Sequence, residues 1–250
     1  MSFSDLPWDF DFIHIFAVAL VFIMWWLYTP VLTLLGHGTL NAQLHAVRLK
    51  WMQMHTHARR QDRVYDAIIL GQISSAMSYF GSATMIVLAG FVGTLASINH
   101  VHASLTQMAF FPPISLGLFS IYFGGLTIIM AICFFSFTYG LRKMAYTLAL
   151  IGGLDEGPSN TQQSQVMAAQ TAIVLTEAVK SMNNGIRGYY FAVAGLFLFF
   201  GPLISITATL GFAFLLYFRQ GLSKEALAIE RYVKAMREEN QSDGSESGIS

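Results

Sequence analysis

Residues 185–219, GIRGYYFAVAGLFLFFGPLISITATLGFAFLLYFR, decide the fold, because positions 188–218 carry no charged residue. About 20 apolar residues at 1.5 Å each suffice to cross a bilayer. A soluble core helix of this length would need a polar face, and no such face recurs here at helical spacing. Tyr189 and Tyr190 at one end and Tyr217 at the other stand where an aromatic belt is expected, with Arg187 and Arg219 just beyond. Gly201-Pro202 lies near the middle and predicts a kink. The stretch therefore reads as a membrane-spanning helix.

Three further segments are long and apolar enough to span, at about 12–35, 67–96 and 114–138, so that the fourth is 188–218. With 54% hydrophobic and only 11% charged residues, the composition is that of one integral-membrane domain. The formal charge of zero offers no global field for nucleic acid. Cys133, alone in an apolar run, excludes disulfides and cysteine-based zinc or redox chemistry. The acidic leader, residues 1–11 with Asp5, Asp9 and Asp11, lacks the basic residues of a signal peptide, so the first apolar segment should be retained.

The connecting segments carry helical stripes. Leu40, Leu44, Val47, Trp51 and Met54 recur at helical steps, with Asn41, His45, Arg48 and Gln53 off that face. This is an amphipathic helix that packs on its own bundle or binds lipid or a partner. A helix over 161–182 follows in the third loop, with Leu175, Val179, Met182 and Ile186 on one face. In the tail, residues 219–239 form a third stripe through Leu222, Ala226, Ile229, Val233 and Met236, and 240–250 read as disordered.

Small residues mark where helices approach one another or bend: Gly71, Ser75 and Ser78 in the second span, Gly124 and Gly125 in the third, and Gly201 with Pro202 in the fourth. Lys and Arg divide as five in the first loop, none in the second, four in the third and five in the tail. Four full spans with the N-terminus outside put both basic loops in the cytoplasm, but leave the basic tail outside. A re-entrant hairpin at Gly201-Pro202 would bring the tail inside, yet each half alone is too short to span. The expected location is the cytoplasmic membrane with the N-terminus outside.

WMQM at Trp51–Met54, DAIILG at Asp66–Gly71 leading into SYFGSATMIVLAG, FTYGLR at Phe137–Arg142 with Tyr146 and LIGG, NNGIRGYYFA at Asn183–Ala192, Gly201-Pro202 and LLYFR ending at Arg219 together resemble the uncharacterised membrane family "domain of unknown function 599". The resemblance runs over roughly residues 12–225. Ala145 stands where the family usually has asparagine, and Gly201 where a bulkier residue or histidine often precedes the proline. The resemblance implies a multi-pass bacterial membrane protein of about four helices and carries no activity or cofactor.

No phosphate-binding loop, nucleophile elbow, HExxH or dinucleotide fingerprint is present. His55/His57 and His100/His102 are His-x-His pairs, but residues two apart on a helix diverge by about 200°, so neither pair makes a metal site. No catalytic residue, metal or cofactor is assigned. Arg48, Trp51, Arg142 and Arg187 are the candidates for contact with a lipid phosphate or small anion.

The sequence thus predicts an all-α integral membrane protein. It has four transmembrane helices, with amphipathic helices in the first loop, the third loop and the C-terminal tail. A non-catalytic scaffold, assembly or regulatory component is expected, binding lipids, a membrane-protein partner or a second copy of itself. A small oligomeric transporter or channel is the alternative, weakened because no span holds an internal acid or base. A membrane enzyme acting on lipid or quinone would need Glu177, Arg142 and Arg187 to converge.

Overall fold

The computed structural model describes residues 9, 11–34, 40–55, 62–108, 112–154, 161–221 and 223–246. The order is α1 (Phe12–Leu34), α2 (Leu40–His55), α3 (Asp62–Ala96), α4 (Ile98–Thr106), α5 (Leu116–Gly152), α6 (Gln162–Leu196), a 3-10 turn (Phe197–Phe200), α7 (Pro202–Gly221) and α8 (Lys224–Glu246). Four helices are long and apolar enough to cross a membrane, within Phe12–Val31, Val64–Ala96, Leu116–Gly152 and Pro202–Glu239. The all-α membrane fold read from the sequence is the fold observed.

The residues fall into two units. The first holds residues up to Tyr28, Ser75–Tyr139 and Ser181–Phe214. α5 supplies more of its core than any other helix, through Leu118, Phe119, Tyr122, Leu126, Ile129, Met130, Cys133 and Phe137. These fall at the three- and four-residue steps that keep one side of a helix together. α1 adds Ala17, Val21 and Trp25, α6 adds Phe191 and Ala194, and the 3-10 turn adds Leu198. Asp9 closes the start of α5, accepting from the Ser115 N–H at 2.7 Å and hydroxyl at 2.6 Å. Burial opposes its charge, but these hydrogen bonds outweigh it and hold the Asp9 carboxyl below its ordinary range.

α6 approaches α5 through glycines. A Cβ on Gly185 would stand 2.6 Å from the Phe137 ring, one on Gly195 2.8 Å from Leu126, and one on Gly188 would collide with the Cys133 sulfur. The positions expected from sequence to serve packing behave differently. A Cβ on Gly71 or Gly124 meets nothing within 4 Å, and one on Gly125 meets only Phe22 at 3.7 Å. Ser75 and Ser78 are exposed.

The stretch at 188–218 is not one kinked helix. Tyr190 and Phe212 would lie roughly 33 Å apart along a continuous helix, but their ring centroids are 6.3 Å apart. The Ser205 hydroxyl donates to the Ala194 carbonyl at 3.4 Å. α7 therefore returns alongside α6. Gly201 makes the reversal, with φ +126° and ψ 155°, a backbone conformation open essentially to glycine alone. Pro202 then opens α7 at the position where its missing N–H costs nothing.

The second unit holds Thr29–Ser74, Gly140–Lys180 and residues from Leu215 onward. Its core includes Met52, Leu70, Met144, Ala168, Ala172, Leu175, Ala178, Val233 and Met236. On α6 the buried side is the alanine and threonine side, so of the expected stripe only Leu175 is fully buried while Val179 is half-exposed. α8 packs along α2, and the Lys50 ammonium meets the Glu239 carboxylate at 2.6 Å. The tail and the first-loop helix thus belong to one unit. α8 also continues to Glu246, past Asn240, where the sequence predicts order to end. Extending a formed helix adds one hydrogen bond per residue fixed, so a polar continuation is cheap.

Candidate functional site

Two polar groupings stand out, one in each unit. In the first unit, α6 presents Asn184 and Arg187 one turn apart. Arg187 donates through Nη2 to Asn184 Oδ1 at 2.6 Å. Asn184 Nδ2 donates to Ser136 Oγ at 3.1 Å, and that hydroxyl donates to the Ile132 carbonyl at 2.8 Å. The chain of donors fixes the amide orientation, with Oδ1 turned to the guanidinium. From α1, the Tyr28 ring lies under the guanidinium, 5.4 Å from its carbon to the ring centroid, as in a cation–π pair. Arg187, read from sequence as a flanking anchor, is therefore a member of the apolar unit.

Beside this chain stand two donors without acceptors. Trp25 Nε1 and Tyr28 OH are buried and make no hydrogen bond, and their residues are 6% and 7% exposed. Leaving such a group unsatisfied costs about 1–3 kcal/mol. Their neighbours are not so treated. Tyr189 donates to the Phe80 carbonyl at 3.1 Å and contacts the Thr84 hydroxyl.

In the second unit, α2 turns Asn41, His45 and Arg48 toward Thr176 of α6. Asn41 Nδ2 donates to the Thr176 carbonyl at 3.3 Å. Arg48 Nη1 donates to Thr176 Oγ1 at 3.3 Å and to the Asn41 carbonyl at 3.2 Å. His45 Nδ1 lies 2.9 Å from the same hydroxyl. Accepting from Arg48 leaves the threonine its own hydrogen for the imidazole. Burial pushes the Arg48 guanidinium pKa down. Among the described residues Arg48 meets no carboxylate, whereas Lys50 pairs with Glu239, and Lys143 and Lys180 both pair with Glu177.

The apolar side of α2 is thus not the one that docks on α6. Leu40, Leu44, Val47 and Trp51 stay half-exposed and Met54 is exposed. Trp51 Nε1 donates to Asp66 Oδ1 at 2.8 Å. Arg142 donates through Nε to the Tyr146 hydroxyl at 2.6 Å and lies over its ring. Glu177 is engaged by its two lysines, and Arg187 belongs to the other unit.

His102 Nε2 lies 2.7 Å from the Ile114 carbonyl and its ring packs on Phe119. Among the described residues no three metal-ligating side chains gather. His57, Asp155 and Glu156 lie outside the described residues, as does the His55 side chain. Neither Thr176 nor the Trp25–Tyr28 pair was singled out from sequence. One threonine among polar residues carries no signal, and aromatic residues at a helix end read as a belt.

The helices and apolar lengths define an all-α integral membrane protein. Residues 16–225 match the family model described as "Protein of unknown function, DUF599", and the chain belongs to that family. No curated protein and no solved structure matches it.

Proposed function

We propose that this protein is a non-catalytic membrane component that holds anionic lipids or membrane-protein partners against the unit built from α2 and α8, in an assembly or regulatory role. One observation carries the reading. α2 spends its polar side on Thr176, which leaves a half-exposed apolar stripe bordered by a guanidinium that meets no carboxylate among the described residues. An apolar stripe beside an uncompensated cation suits the boundary between acyl chains and anionic headgroups.

The reversal at Gly201 supports a matching topology. Residues 181–196 of α6 and the 3-10 turn accompany α7 across the bilayer, so the first loop, third loop and tail share one side. Apart from Arg187, which lies in the apolar unit, the Lys and Arg residues then belong to that side, the cytoplasmic one by the positive-inside rule, with the N-terminus outside. A bacterial inner membrane fits this distribution.

A photo-reactive residue at Leu44 or Met54, activated in native membranes, tests the function. The same protein or lipid adduct should recur, and Arg48→Gln should reduce it. Absence of any recurrent adduct or self-association refutes the reading. Arg187 inside the apolar unit gives the transporter reading one observation of its own, since intramembrane charge often marks a substrate path. Flux through proteoliposomes that Arg187→Gln abolishes would favour it.

A further inference from the structure

We propose that Trp25 and Tyr28 of α1, with Arg187 of α6, form a binding site for the phosphate group of an anionic phospholipid. Positions 25 and 28 are one turn apart and face the same way. They present an indole N–H and a phenol O–H, both unpartnered and on residues more than nine-tenths buried. The Gly188 backbone beside them brings α6 close, and a Cβ there would stand 3.4 Å from the Trp25 ring. The Arg187 guanidinium, centred 5.4 Å from the Tyr28 ring and donating to the Asn184 amide oxygen, adds a positive charge beside these donors.

The chemistry of the set selects the ligand. Three donor groups, one of them cationic, ask for an anionic oxygen acceptor, and a tetrahedral phosphate offers several acceptors to donors arriving from two helices. Depth selects the source. Trp26, adjacent to Trp25, is 84% exposed, and Trp25, Trp26 and Tyr28 together form the aromatic band that marks headgroup level. Along the same helix Ile23 and Leu27 are exposed for an acyl chain to follow. A choline headgroup would carry a second cation toward the guanidinium, so an anionic lipid is preferred.

Trp25→Phe with Tyr28→Phe removes both donors and keeps both rings. The protein, reconstituted in phosphatidylcholine nanodiscs with or without phosphatidylglycerol, is released into mild detergent and weighed by native mass spectrometry. Retained phosphatidylglycerol on the wild type should fall at least about tenfold in Arg187→Gln, and clearly in the double phenylalanine variant. Arg187→Lys should keep part of it. Arg48→Gln should remove only lipid held at α2, and the loss in the double phenylalanine variant should persist in that background, so this site and the function proposed for α2 fail separately.

Phosphatidylglycerol should also raise the melting temperature of the wild type and not of the double phenylalanine variant, a difference that a packing role alone would not produce. Stabilisation by inorganic phosphate in place of the lipid, lost in the same variants, would support the phosphate site and move its source to a soluble compound. Equal phosphatidylglycerol and phosphate binding by wild type and both variants overturns the proposal.

Discussion

Lys50 of α2 and Glu239 of α8 form an ion pair at 2.6 Å although 189 positions of chain separate them. Such a contact requires the first-loop helix and the tail helix to lie on one side of any membrane the chain crosses. Cysteines placed at Lys50 and Glu239 should be joined by a short bifunctional maleimide in intact membranes. A membrane-impermeant thiol reagent should reach both from the same side. Labelling of the two positions from opposite faces would break the arrangement.

The same pair gives a pH dependence with a definite sign. The hydrogen bond from Lys50, then its charge, holds the Glu239 carboxyl below its ordinary 4.5. A depressed carboxyl pKa contributes stability that is present above 4.5 and lost as pH falls through the folded value. Spin labels on α2 and α8 should report an unchanged separation from neutral pH down to about 5, and loosening below 4.5. Glu239→Gln should show the loosened distances throughout and no further change with pH.

Gly201 is the position on which the α6–α7 reversal turns. At φ +126° a Cβ is strained whatever the space around it. Gly201→Ala should lower stability by about 1–3 kcal/mol, read as a fall in melting temperature in detergent. Pro202→Ala should cost less, about 0.4–1 kcal/mol, because it releases only unfolded-state freedom. A Gly201→Ala protein as stable as the wild type would mean the reversal is not made there.

The spans were legible because a long run without charge has only one solvent that suits it, as at 188–218. The reversal within that run was not, because Gly-Pro reads equally as a kink, and only the sign of φ at Gly201 separates the two. The setting of Arg187 was hidden for a related reason. A cation at the end of a charge-free run looks like an anchor unless the partners waiting on α1 and α5 are known. The glycines show the same limit: Gly71 and Gly124 suggested close helix approach by their spacing, yet it is Gly188 that touches Cys133 and Trp25.

The glycines can therefore be told apart by adding one carbon. Gly188→Ala forces a methyl into the Cys133 sulfur and should destabilise by about 1–3 kcal/mol. Gly71→Ala meets nothing and should be neutral, or stabilising by up to about 1 kcal/mol through helix propensity. Gly188→Ala combined with Cys133→Ala should recover much of the loss, since the pair share one contact. Equal melting temperatures for the two single variants would remove the close approach of α6 to α5.

Thr176 tests the orientation of α2, which periodicity alone could not settle. Sequence showed two sides, an apolar one and a polar one, and hydropathy favours burying the first. The structure buries Met52 instead and lays Asn41, His45 and Arg48 on Thr176, because α6 offers there a hydroxyl and a carbonyl that a purely apolar stripe would leave unsatisfied. Thr176→Val keeps the shape and deletes the oxygen that Arg48 and His45 share, so it should cost about 1–3 kcal/mol. Thr176→Ser, which keeps the hydroxyl, should be nearly neutral. Hydrogen exchange should rise across residues 40–55 in the valine variant and stay unchanged in the serine one; unaltered protection in both would mean that α2 is held by its apolar stripe after all.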